Sequence, residues 1–151
     1  MTRVDFYHLQ KQTLDEVLPK LLSKAFETGE KIIVKIGTTE RVEFLNSLLW
    51  TFNDESFLPH GSKKDGFGEQ QPIWLTSDND NPNHATFLFL VDGAEIEVNQ
   101  AVVFSRIFNI FDGNSDEALN QARQLWKTYK DAGFEVNYWQ QTERGVWERK
   151  V

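Results

Sequence analysis

Hydrophobic positions along this chain follow two periods, one close to two residues and one close to 3.6. Short β-branched and aromatic runs predict strands, and longer stretches with apolar residues every three or four positions predict amphipathic helices. The predicted strands are residues 4–9, 31–36, 72–76, 85–91, 101–111 and 134–139. The predicted helices are residues 13–29, 38–50 and 114–133.

Local start and stop residues support the helices. Thr13 and Glu16 have the spacing of a capping box, and Gly29 follows as a stop. Pro19 is awkward inside this helix, and it predicts either a kink or a start close to residue 18. In the second helix, Val42, Leu45 and Leu49 share one face. Residues 51–71 are expected to form a long loop.

The order β-α-β-α-β-β-β-α-β predicts an α/β fold with a mostly parallel sheet and helices on both faces. The length of 151 residues favours a single three-layer domain over residues 1–151. The sequence has no cysteine, which excludes disulfides and cysteine zinc sites. Residues 1–10 lack the apolar run of a signal peptide, and no stretch is long enough to span a membrane, so a cytoplasmic protein is expected.

The formal net charge is −7 at pH 7. An acidic protein repels phosphate groups at long range, so direct binding to nucleic acid or to an anionic membrane is not expected.

The usual sequence motifs of catalysis are missing. Neither strand–helix junction has a glycine-rich phosphate loop, and no nucleophile elbow is present. His8, His60 and His84 are far apart in sequence and form no ligand pair, and the acidic run at 77–84 lacks the pattern of a calcium loop. No catalytic, cofactor or metal residue is predicted. The alternative is a small nucleotide- or cofactor-binding enzyme with its site near Gly37 or near Asp92-Gly93.

One stretch of the last helix, RQLWKTYKDAGF at 123–134, is unusual for an acidic chain. Arg123, Lys127 and Lys130 fall in one narrow stripe on a helix, and Trp126 lies at its border. Cations near a helix C-terminus are explained by the helix dipole alone, but the dipole does not explain the tryptophan. A basic ridge beside an indole suits an acidic peptide with an apolar end residue.

A second stretch, LLWTFNDESFLPHG at 48–61, is rich in aromatic residues. Trp50, Phe52 and Phe57 crowd the end of a helix and the following loop, which Pro59 closes. Some of these side chains belong to the core. Exposed aromatic residues are typical of protein interfaces. The residue pattern alone therefore leaves two interpretations open, that these aromatic residues belong only to the core or that they also form a protein interface.

Several fragments together resemble the chi subunit family of bacterial DNA polymerase III holoenzyme over essentially the whole chain. They are VDFYHL, LW followed by SFLPHG, PIWLT, IFDG, ARQLWKTYKDAGF and NYWQQ…GVWER. The resemblance implies a non-catalytic clamp-loader accessory subunit with a Rossmann-like or P-loop-like fold that has no nucleotide site. It also implies two partners, which are the acidic, phenylalanine-ended tail of single-stranded-DNA-binding protein and the psi subunit.

The resemblance carries specific residues onto this sequence. The implied tail site consists of Arg123, Trp126, Lys127, Lys130, Gly133 and Phe134. The implied psi surface consists of Trp50, Phe57 and Pro59, and a helicase using the same patch is an alternative partner. Some family members have a further lysine one turn before the arginine, where this chain has Leu119 and Asn120. The tail site of this chain is therefore expected to bind more weakly or to depend more on Trp126.

Overall fold

The computed structural model describes residues 2–51 and 58–150, and a twisted β-sheet forms its centre. The sheet order is β3-β4-β2-β5-β6-β1-β7-β8. Neighbouring strands from β3 to β7 run parallel, and β8 pairs antiparallel with β7 at one edge. The strands are β1 Arg3–Leu9, β2 Ile32–Ile36, β3 Gly61–Ser62, β4 Ile73–Thr76, β5 Phe87–Val91, β6 Arg106–Asp112, β7 Glu135–Gln141 and β8 Trp147–Arg149.

Helices cover both faces of this sheet, so the predicted three-layer α/β fold is confirmed. Helices α1 (Leu14–Phe26) and α2 (Thr39–Thr51) share one hydrophobic core with the sheet. Helices α3 (Val98–Ala101) and α4 (Asp116–Asp131) belong to a second core on the opposite face. Alternation along the strands separates the two cores.

The first half of the predicted strand 101–111 is wrong. Residues Val98–Ala101 form the short helix α3, and β6 begins only at Arg106. Val102 and Val103 lie on the turn between them and are 56% and 63% exposed. Valines favour strands by propensity, but here the backbone N–H groups of Val102 and Phe104 bond back to carbonyl groups of α3, which closes a turn.

Three short elements were not predicted. Strand β3 and a 3-10 helix at Gly68–Gln70 lie within the expected loop 51–71, and β8 follows the last predicted strand. Each has only two or three residues, which is too short to show a period. Strands β3 and β8 extend the sheet at its two edges, and the fold class is unchanged.

Helix α1 begins where the capping box predicts. The Glu16 carboxylate accepts a hydrogen bond from the Thr13 backbone N–H at 3.1 Å. The alternative start close to residue 18 is wrong, because the helix runs from Leu14 to Phe26 with Pro19 buried inside it. In α2, Val42, Leu45 and Leu49 are buried on one face as predicted.

Residues 77–84, the acidic run noted in the sequence, are joined to the sheet by side-chain hydrogen bonds. The Asp80 carboxylate accepts hydrogen bonds from Trp74 Nε1 at 2.8 Å and from Thr76 Oγ1 at 2.5 Å. The buried Asn83 side chain donates to the carbonyl groups of Ile32 and Gln71. In residues 2–51 and 58–150, no helix has the length and apolar composition to cross a membrane.

Candidate functional site

Helix α4 carries most of the residues expected to bind the tail, and its ends are well defined. At its start, Ser115 Oγ accepts a hydrogen bond from the Ala118 N–H at 3.2 Å, and Asp116 and Glu117 occupy the first turn. At its end, the Gly133 and Phe134 N–H groups donate to the carbonyl groups of Lys130 and Tyr129. This pattern is a Schellman motif, which fixes the last turn of the helix.

The amphipathic pattern of α4 is as predicted. Ala122 and Tyr129 are buried against the sheet. Arg123, Lys127 and Lys130 are exposed on one side, and we call these three residues the basic stripe. With a rise of 1.5 Å per residue, the stripe extends about 10 Å along the helix axis.

The cations of the basic stripe have no acidic partner among residues 2–51 and 58–150. Some other cations in these ranges are paired, for example Arg41, which lies 2.8 Å from Asp15 and 2.9 Å from Asp92. No carboxylate comes within salt-bridge distance of Arg123, Lys127 or Lys130 in these ranges. The stripe is therefore free to meet an anion from outside.

Trp126 lies at the border between the stripe and the core. Its ring is half-buried, with ring centroids 5.8 Å from Phe6 and 6.0 Å from Tyr138 in a T-shaped contact. Lys130 Nζ lies 5.8 Å from the centroid of the same indole. The core thus fixes one part of the ring, and its remaining surface lies beside the cations.

Tyr138 on β7 belongs to this site and was not predicted. Its hydroxyl lies 2.5 Å from His8 Nδ1. Burial raises the pKa of Tyr138, and the positive charge of Arg123 opposes this shift. Burial also lowers the pKa of His8, against the charge of Asp112, which favours the neutral ring, whose Nδ1 can accept a hydrogen bond from the Tyr138 hydroxyl.

Gly133 and Phe134 lie at the C-terminal end of the stripe. Gly133 has a φ of +89°, and a Cβ built on it would meet no atom within 4 Å. The left-handed backbone at this position explains the glycine. The half-buried Phe134 ring stacks on Tyr129 with centroids 5.8 Å apart.

The second predicted surface lies at the end of α2, in the opposite helix layer. Trp50 is 49% exposed, and its ring centroid lies 4.1 Å from that of His60. The His60 ring is buried, and its two nitrogens lie within hydrogen-bond distance of the Leu58 and Asn46 carbonyl groups. These contacts give His60 a structural role. Pro59 is half-buried beside them, and Phe57 lies outside the described residues.

A crevice of about 600 Å³ lies at the carboxyl ends of β1, β5 and β6. Nucleotides bind at this position in many doubly wound folds. Here a Cβ built on Gly37 would lie 1.8 Å from the Asp92 carbonyl oxygen, so the 92–93 turn fills the β2–α2 junction. Carboxylates already occupy the first turns of α1, α2 and α4. These features disfavour phosphate binding at the helix N-termini.

Comparison with known proteins gives the family. The model of the family "DNA polymerase III chi subunit, HolC" matches residues 1–137. The chain belongs to the chi subunit family of DNA polymerase III. A probable chi subunit from Rickettsia prowazekii is 26% identical over 152 residues, covering 99% of this chain and 92% of that protein. The chi subunit from Pseudomonas aeruginosa is also 26% identical, over 139 residues that cover 89% of this chain and 93% of the relative.

The family match confirms the predicted membership and makes the chain a subunit of DNA polymerase III. The prediction of an accessory subunit of the polymerase, without enzymatic activity of its own, agrees with this family. The matched region includes α2, α4 and the first residues of β7, so it covers every predicted residue of both surfaces, and Tyr138 follows directly after it.

Proposed function

We propose that this chi-family chain, as a single cytoplasmic domain, binds the acidic C-terminal tail of single-stranded-DNA-binding protein and links it through a psi subunit to the clamp loader. The observation that carries the proposal is the basic stripe of Arg123, Lys127 and Lys130, unpaired among the described residues, beside the half-buried Trp126.

The dimensions of the stripe fit a short peptide. An extended chain advances about 3.3 Å per residue, so the stripe of about 10 Å faces roughly three residues of a tail. A run of acidic residues followed by one aromatic residue would place its carboxylates along the cations. The terminal aromatic ring would then contact Trp126.

The roles within the site differ. Arg123 can form two parallel hydrogen bonds to one carboxylate, either the chain terminus or an aspartate side chain. Lys127 and Lys130 add a screened positive field around it. Tyr138 flanks Trp126 at the core boundary and offers apolar surface for the terminal ring, with Gly133 and Phe134 at the C-terminal end of the stripe.

The acidic character of the whole chain supports this function. A net charge of −7 opposes non-specific contact with DNA phosphates. The local basic stripe still attracts an acidic peptide at short range. The chain can therefore hold a DNA-bound protein by its tail without competing for the DNA.

The second partner is assigned to the surface around Trp50. Trp50 offers a large exposed ring backed by His60, and Pro59 lies beside it. We assign psi to this surface, together with Phe57, which the structure does not describe. A helicase that uses the same patch is the alternative partner.

The proposal is tested by calorimetric titration with a synthetic acidic peptide that ends in phenylalanine and a free carboxylate. We expect saturable binding that weakens as salt is raised but persists, because the aromatic contact is not screened. The same peptide ending in serine should bind at least about tenfold more weakly, since it loses burial of the ring. Equal affinity for the two peptides, or no binding, would contradict the tail site.

A further inference from the structure

The face of the sheet that carries α4 is only partly covered by helices. On this face β4 and β5 are joined by residues 77–86, and β5 and β6 are joined by a segment whose helix, α3, has four residues. Parallel sheets normally have full-length helices over both faces. Over β2 and β5, this layer is therefore thin.

A pocket of about 270 Å³ results from the thin layer. Ile33 and Leu88 form its floor and are 2% and 1% exposed, while Ile96 and Phe104 form its walls. Val103 is 63% exposed and lines the mouth, where a second cavity of about 390 Å³ begins on its other side. The volume suits one apolar side chain better than a drug-sized ligand.

The surroundings of the pocket are acidic. Asp78 and Asp80 line it on one side, and Glu95 and Glu97 lie on the other. Two cations lie among these acids. Lys63 Nζ lies 3.7 Å from an Asp78 carboxylate oxygen, and the Lys35 ammonium donates to the Asn79 side chain at 2.5 Å and to the Glu95 carbonyl at 2.6 Å. Burial lowers the pKa of Lys35, and the charges of Asp78, Glu95 and Glu97 oppose that shift.

The four acids outnumber the two cations at this pocket, so its charge is opposite to that of the basic stripe. The pocket also lies on the other side of α4. The hydroxyl of Tyr129 donates to the Ile96 carbonyl at 3.3 Å, and the Gln121 side chain bonds to Glu95 at 2.6 Å, so α4 separates the two surfaces. An acidic tail would be repelled here.

We propose that this pocket is a second docking site, and that its occupant is a basic segment of a partner protein that inserts one apolar side chain between α3 and the 77–81 loop. The inserted side chain completes the thin layer over Ile33 and Leu88. Lysine or arginine residues on either side of it pair with the acidic rim. This site is independent of the tail site and of the psi surface.

The test uses an amidated peptide with a central leucine flanked on each side by two arginines. We expect saturable binding to the whole chain by fluorescence anisotropy. Replacing the leucine with serine should weaken binding about tenfold or more, because the apolar burial is lost. Replacing the arginines with glutamates should abolish measurable binding.

Two adjacent exposed valines provide matched variants. Val103→Arg blocks the mouth and should reduce affinity at least about tenfold, whereas Val102→Arg adds the same charge away from the pocket and should change affinity by about twofold at most. Circular dichroism checks that both variants fold. The inference is overturned if no saturable binding occurs, if the serine or glutamate peptide binds as well as the leucine–arginine peptide, or if the two folded variants lose affinity equally.

Discussion

Replacing Arg123 with glutamate is expected to abolish measurable binding of the acidic tail peptide. The change removes a charge-assisted hydrogen-bond donor and sets a carboxylate against the acids of the tail. Arg123→Ala removes only the donor and should weaken binding about tenfold to a hundredfold. Lys130→Ala should weaken it by about fivefold at most, because an exposed cation is largely screened. Calorimetry at fixed salt measures all three variants.

A matched control separates the local contact from the change in net charge. Lys20 is exposed on α1, in the opposite helix layer, and Lys20→Glu changes the net charge by the same amount as Arg123→Glu. We expect Lys20→Glu to bind the tail peptide with nearly wild-type affinity. Wild-type affinity of a folded Arg123→Glu variant would show that the basic stripe is not the tail site.

Replacing Trp50 with alanine is expected to weaken the complex with psi by about 2 kcal/mol or more, the effect of losing a central aromatic anchor. Tail binding should be nearly unchanged, because α2 and α4 lie on opposite faces of the sheet. Titration of the variant with psi and, separately, with the tail peptide measures both quantities.

Phe44 supplies the control for this prediction. It is 51% exposed on the same helix, and its ring contacts the Arg41 guanidinium. It points away from the Trp50 side of α2, so Phe44→Ala should leave the psi complex intact. Loss of both psi and tail binding by Trp50→Ala, together with a lower melting temperature, would instead mean that Trp50 serves the core.

The fold could be predicted from the sequence wherever a run was long enough to show its period. The apolar runs around Val34 and Phe89 gave central strands, and the capping box at Thr13 gave the start of α1. The prediction was wrong at Val102 and Val103, where strand propensity competed with a turn that closes onto α3. Strand β8 was missed because three residues next to a hairpin turn carry no periodic pattern.

The candidate site could be predicted only in part, for a similar reason. The basic stripe follows from helical spacing within one element, and its exposure agrees with that prediction. Tyr138 joins the site through sheet pairing, because β7 lies beside β1 and brings its phenol against His8 and Trp126. A contact between residues so distant in sequence leaves no local pattern. The pocket over Ile33 was not predicted for the same reason. It forms because the β4–β5 connection and the short helix α3 leave this part of the sheet thinly covered, and no local pattern in the sequence shows that.

The measurement that tests the central proposal most directly is a ¹H–¹⁵N NMR titration of the labelled chain with the acidic, phenylalanine-ended peptide. The chain has five tryptophans, and the indole N–H signals of Trp50 and Trp126 report on helices α2 and α4, which lie on opposite faces of the sheet. The proposal predicts that the largest shifts are those of the Trp126 indole and of the amides of residues 123–134, with the Trp50 indole unchanged. Saturable binding that shifts the Trp50 indole and leaves Trp126 and residues 123–134 unperturbed would contradict it.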